Sequence, residues 1–66
     1  MDKTIREHDA VVLLRDIPDL SLVAGATGVA VYIYEHASAC EIEFANPAGK
    51  PRFFVVTVNA DDVLKL

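Results

Sequence analysis

Apolar residues in this 66-residue chain come in short runs separated by turn signals. Ala10 to Leu14 is the first run, introduced by polar residues and closed by Arg15 and Asp16. Thr27 to Tyr34 is the second, and Ala39 to Phe44 the third. Arg52 to Val58 follows, and Val63 to Leu66 closes the chain. The third run alternates cleanly, with Cys40, Ile42 and Phe44 on one face and Glu41 and Glu43 on the other. Such alternation marks a strand with one face buried and one wet. In the fourth run Phe54, Val56 and Val58 share a face opposite Phe53, Val55 and Thr57, and the face with Thr57 is the better outside. In the second, Val29, Val31 and Ile33 are placed inside as branched aliphatics, which puts Ala30, Tyr32 and Tyr34 outside. The predicted core is therefore Val11, Leu13, Val29, Val31, Ile33, Ile42, Phe44, Phe54, Val56 and Val58.

The connections are as informative as the runs. Pro18 breaks regular structure and pushes Ile17 toward extended angles. Leu20, Leu22 and Val23 make the following loop too apolar to hang in water, so it is expected to fold back over one end of the domain. Gly25 and Gly28 stand just before the second strand, where a positive φ or a close backbone approach is expected. Glu35 to Ser38 reads as a turn. Asn46, Pro47, Ala48 and Gly49 match a type I turn position by position. Asn59 to Asp62 reads as one helical turn capped by Asn59, with carboxylates near its positive end. Five short strands without a useful helical period predict one all-β domain. Its form is a small five-stranded antiparallel SH3-like barrel with a short helical turn before the last strand. Closing such a sheet would remove its free edges.

Composition narrows the function. The apolar fraction is 53% and the charged fraction 24%, the balance of a folded domain. No apolar run approaches the ~20 residues that span a bilayer. The N-terminus is charged with no apolar stretch before Val11, so no signal peptide is expected. The single cysteine, Cys40, cannot form an internal disulfide, which favours the cytoplasm. Net charge is −4, and Lys3, Arg6, Arg15, Lys50, Arg52 and Lys65 are scattered. Nucleic-acid binding would need clustered cations, so the expected partner is another protein, and a basic one.

No constellation for catalysis stands out. Paired carboxylates such as Glu35, Glu41 and Glu43 need a shaped, desolvated site for acid–base work, and read better as a solvated face. His8, His36 and Cys40 match no zinc spacing. Cys40 falls on the apolar side of its strand and reads as a core residue, and His36 belongs to a turn. No cofactor is expected. The candidate partner-binding residues are the outward aromatics and aliphatic Tyr32, Tyr34, Phe53 and Val55, rimmed by Glu41 and Glu43. The same patch could serve a homodimer, and these side chains could equally pack under the first loop.

The order of motifs resembles a bacterial family, domain of unknown function 4926. The resemblance rests on His8-Asp9-Ala10-Val11-Val12-Leu13, Ile17-Pro18, Leu22-Val23-Ala24-Gly25 and Gly28-Val29 with Val31 and Tyr34. Glu41-Ile42-Glu43-Phe44, Gly49, Val56-Thr57-Val58 and Ala60-Asp61 with Val63 continue it, so it covers nearly the whole chain. It implies a standalone SH3-like barrel without known catalysis. It further implies an antitoxin-like or immunity-like partner of a protein encoded by an adjacent gene. Ala26, where an acidic residue commonly follows the first glycine, and the chain end at Leu66 depart from the family pattern. The glycine-to-strand segment also resembles nucleic-acid-binding barrels of ribosomal and transcription-elongation proteins. Ala24, Ala26 and Thr27 replace the basic residues those carry around the turn. A third relative in shape is the barrel linked to nitrile hydratase as subunit or activator, an accessory of a metalloenzyme, whose metal-handling cysteines are missing here.

Overall fold

The computed structural model describes residues 4–66, apart from the side chain of residue 37. Lys3 and the first residues of the N-terminal segment read above lie outside that range. Five strands form one antiparallel sheet: β1 (Ala10–Leu13), β2 (Thr27–Ile33), β3 (Ala39–Ala45), β4 (Phe53–Asn59) and β5 (Val63–Lys65). Their order across the sheet is β4-β3-β2-β1-β5, so β1 to β4 form a four-stranded meander and β5 returns to pair with β1. This is the predicted SH3-like all-β architecture, with every strand in its expected place to within a residue or two. The ladder stops at β4 on one side and β5 on the other, so the sheet keeps two edges that full closure would have removed.

Each connection has a local cause. Gly49 donates its amide to the Asn46 carbonyl at 2.9 Å, closing the predicted turn, and the Asn46 side chain accepts the Ala48 amide at 2.9 Å. Gly49 holds φ at +83°, a conformation in which a β-carbon would be strained. The first loop makes a 3-10 turn over Pro18–Leu20 and an isolated bridge between Ile17 and Leu22. Leu22 is buried by that fold-back, as its hydrophobicity requires, whereas Leu20 and Val23 stay exposed. Glu35–Ala37 is a 3-10 turn with His36 at φ +62°. The helical turn before β5, Ala60–Asp62, is present. Asn59 precedes it in extended backbone without a side-chain capping bond, so the cap expected there is not made. The turn is held instead by the Ala60 amide on the Ser38 carbonyl and the Leu14 amide on the Asp62 carbonyl.

The core lies on one face of the sheet. Val11, Leu13, Leu22, Ala30, Cys40, Ile42, Phe44, Val58 and Val63 are buried, with Ile33, Phe54 and Val56 packed against them. The parities of β3 and β4 are as predicted. That of β2 is not: Val29 and Val31 are 39% and 37% exposed, and Ala30 is fully buried. The cause is a β-bulge. Ala30 pairs with Ile42 but Tyr32 pairs with Glu41, so Val31 is an extra residue with no partner on β3. Before the bulge the inward positions are Gly28 and Ala30; after it the inward position is Ile33. Without the extra residue the inward set would have continued to Tyr32 and Tyr34, whose hydroxyls would need partners in the core.

Gly28 fixes the start of this register. It sits opposite Phe44 on β3, and a β-carbon there would lie 2.7 Å from the Glu43 carbonyl oxygen and 2.7 Å from Ile42 Cγ2. Two strands and the Phe44 ring meet at a point only a glycine can occupy. Gly25, with φ at +96° and open space around it, serves the other purpose and turns the chain into β2.

Candidate functional site

The face opposite the core is built by the outward residues of β2, β3 and β4, and the registers place them in rows. Tyr32 pairs with Glu41, and Glu41 with Thr57. Val29 pairs with Glu43, and Glu43 with Val55. Ala45 pairs with Phe53. Tyr32 and Phe53 are each 51% exposed and Val55 50%; Tyr34 is exposed beside them. Among the described residues the charges on the outward strand positions of this face are Glu41 and Glu43, both negative.

All six residues singled out from the sequence thus share one face, but they form two lobes. At one end Tyr32 and Tyr34 stack edge to face, with ring centroids 5.0 Å apart and planes at 79°. The Tyr34 hydroxyl donates to Glu41 Oε1 at 3.1 Å, and the Thr57 hydroxyl donates to the same oxygen. The hydrogen bond to Glu41 holds the Tyr34 phenol above its ordinary pKa, with desolvation and the nearby carboxylate charge adding to it. At the other end Phe53 and Val29 border a shallow hollow of about 420 Å³ that Ala10, Thr27, Glu43 and Ala45 help to line, and Val55 flanks Glu43 on the side away from Val29. The rows of Tyr32 and Phe53 are separated by the four residue steps from Glu41 to Ala45, roughly 13 Å of strand. Glu43 stands within the second lobe, between Val29 and Val55. Val29 and Val31 are the members that sequence reasoning assigned to the core. The signal that could have placed them outside was the small size of Gly28 and Ala30, which face the large buried Phe44 and Ile42.

The first loop does not cover the face. Its fold-back packs Leu22 and Ile17 into the core cluster. The alternative that the outer aromatics lie beneath that loop is therefore replaced by an exposed face.

A second concavity of about 380 Å³ opens at the end of the sheet where β1, β3 and β5 meet, lined by Ile5, Leu14, Ile33, Cys40, Val63 and Leu64 among others. Cys40 is buried at its base, and desolvation raises the pKa of its thiol, with the Glu41 charge adding to the effect. Raised thiol pKa means less thiolate, the opposite of an activated nucleophile. His8 and His36 are exposed turn residues at positive φ. Among the described residues no three His, Cys, Asp or Glu side chains are grouped to hold a metal, and no helix is long and apolar enough to cross a membrane.

Two ion pairs lie away from this face. Lys65 Nζ lies 3.3 Å from Asp9 Oδ2, and Arg15 Nε lies 3.8 Å from Asp62 Oδ2. Asp9 also accepts the Arg6 amide at 2.8 Å, which chiefly lowers its pKa against an opposing desolvation, with Lys65 assisting.

The family model Domain of unknown function (DUF4926) matches residues 7–65. The chain belongs to this family. No curated protein matches the sequence. A solved structure described as "Domain interaction in Thermotoga maritima NusG" matches all of this chain with a TM-score of 0.73 at 15% identity. The match takes up 33% of that longer chain, so the likeness is of one domain within it and shows the fold.

Proposed function

We propose that this member of the family is a non-catalytic protein-binding barrel of the antitoxin-like or immunity-like kind, working in the cytoplasm with a protein encoded beside it. The observation that carries this reading is the outward face of β2, β3 and β4. Four large apolar side chains, Tyr32, Tyr34, Phe53 and Val55, stand half exposed there, with Val29 and Val31 added by the bulge. Interface energy concentrates in a few such anchors, and aromatics lead among them. Glu41 and Glu43 give the face one sign of charge, which suits a partner with basic residues around an apolar centre. The NusG structure, described in terms of domain interaction, supports a barrel of this shape serving a protein contact.

A nucleic-acid-associated barrel is the competing reading. It would need cations where this face has carboxylates, because phosphate contacts supply most non-specific affinity. An accessory role to a metalloenzyme would be a further case of protein binding.

The test separates folding from binding. Tyr32→Ala and Phe53→Ala are each expected to keep the circular dichroism spectrum of the parent. Each is expected to weaken binding to the neighbouring gene's product by about 2 kcal/mol. Added salt should slow association more than it speeds dissociation, through Glu41 and Glu43. Folded variants that bind like the parent would place the working surface elsewhere, and tight binding of RNA or DNA by the parent in a fluorescence-anisotropy titration would promote the competing reading.

A further inference from the structure

The sheet's two edges differ. β5 is three residues long and carries Lys65. β4 is seven residues long, Phe53 to Asn59, with no charge and no proline, and it pairs with β3 over seven residues without a bulge. Short length, lysine, proline and bulges are the devices that keep an edge from pairing with another chain. β5 has two of them and β4 has none.

The direction of the β4 backbone groups follows from the ladder. The Arg52 carbonyl accepts the Asn46 amide, and the Ala60 amide donates to the Ser38 carbonyl. In an antiparallel pair the hydrogen-bonded residues alternate, so the even-numbered residues of β4 spend their amide and carbonyl groups on β3. Those of Phe53, Val55, Thr57 and Asn59 point out of the open edge, where no strand of the described residues follows in the sheet order.

We propose that this edge pairs with the same edge of a second copy, antiparallel about a two-fold axis at Val56, to make one continuous ten-stranded sheet. The inference rests on the edge and not on the proposed function of the face. Centring at Val56 sets Phe53 against the partner copy's Asn59 and Val55 against its Thr57, so all four outward residues find partners. A two-fold axis repeats each contact, so the strand need only be complementary to itself. Charge fits the same register. Arg52 at one end of β4 comes opposite Ala60 of the other copy, next to Asp61, and the symmetric contact recurs at the far end. Both edge residues are exposed in the single chain. The dimer also sets the two outward faces side by side, bringing Phe53 and Val55 of each copy into one broader apolar surface.

Sedimentation equilibrium over a range of concentrations, combined with amide hydrogen exchange, tests this on the intact chain. The mass is expected to rise toward two chains, while the amides of Val55 and Thr57 become protected with concentration and those of Val56 and Val58 stay protected throughout. Val55→Pro removes an amide that β3 does not use and should give a folded monomer. Independently of whether that variant folds, Arg52→Glu should weaken dimerisation about fivefold or more, and adding Asp61→Arg should restore it. A chain that stays monomeric at its highest soluble concentration overturns the proposal. So does a dimer in which the Val55 and Thr57 amides exchange as in the monomer, or a charge reversal that changes nothing or is not rescued. None of these outcomes bears on the alanine variants of Tyr32 and Phe53 in a mixed complex.

Discussion

At Gly28 a single hydrogen in place of a methyl decides how closely β2 can approach β3. An alanine there would meet the Glu43 carbonyl, which belongs to the ladder and cannot rotate away. Gly28→Ala is expected to cost about 1–3 kcal/mol, read from the urea midpoint, and more than Gly25→Ala, which adds strain at positive φ but no clash. Tyr34 offers a second test at this scale. Its phenol pKa is raised above the ordinary 10.0 chiefly by the bond to Glu41. A raised pKa favours the protonated form in the folded chain. The stability linked to it is therefore fully present below the ordinary phenol value and lost as pH rises through the raised one. In a phenolate absorbance titration Glu41→Gln is expected to move the Tyr34 transition back toward lower pH. The same transition in parent and variant would mean that the hydrogen bond does not persist in solution. Both residues were visible in the sequence, the glycine by its place before a strand and the tyrosine by its parity. Their partners were not, because the register alone sets Phe44 opposite Gly28 and Glu41 opposite Tyr32, within reach of the neighbouring Tyr34 hydroxyl.

Among the elements, β3 and β4 were legible and β2 was only half so, for a definite reason. Cys40, Ile42 and Phe44 alternate with glutamates, so a slip of one residue would bury charge. In β4, Thr57 marks the outer side. In β2 both parities are apolar, Val29, Val31 and Ile33 against Ala30, Tyr32 and Tyr34, and such a pattern cannot reveal an extra residue. The bulge at Val31 resolves it by changing parity midway, so that Ala30 and Ile33 both turn inward. The small residues Gly28 and Ala30 were the overlooked sign: they face the large buried Phe44 and Ile42. Substitutions separate the two arrangements. Ile42→Ala should cost about 2–5 kcal/mol, a large share of the stability of a domain this size. Val31→Ala should cost well under half of that, since the side chain leaves water only in part. Equal losses in thermal or urea melts would return Val31 to the core and remove the bulge. The first loop divides in the same way, with Leu22 read correctly as covering the core while Leu20 and Val23 remain outside.

For the whole molecule, one curved sheet with its core on one side leaves an outer face whose apolar side chains stay exposed among the described residues. The anchors on that face lie in two lobes, the rows of Tyr32 and Phe53 being about 13 Å apart, with Glu41 in the first lobe and Glu43 in the second. The sequence supplied the residues of this face, but not the lobes, which depend on where β2 and β4 start relative to β3. It also predicted a closed barrel, whereas the ladder ends at β4 and β5, because edge closure depends on strand placement and not on composition. The most direct test of the outer face as the working surface is a chemical-shift map of the labelled chain titrated with the product of the neighbouring gene. The perturbed residues are expected to be Tyr32, Tyr34, Glu41, Glu43, Phe53 and Val55, with Val29 and Val31 among them. Shifts confined to the first loop around Pro18 to Leu22, or to the groove floored by Cys40, with the outer face unchanged, would contradict the account.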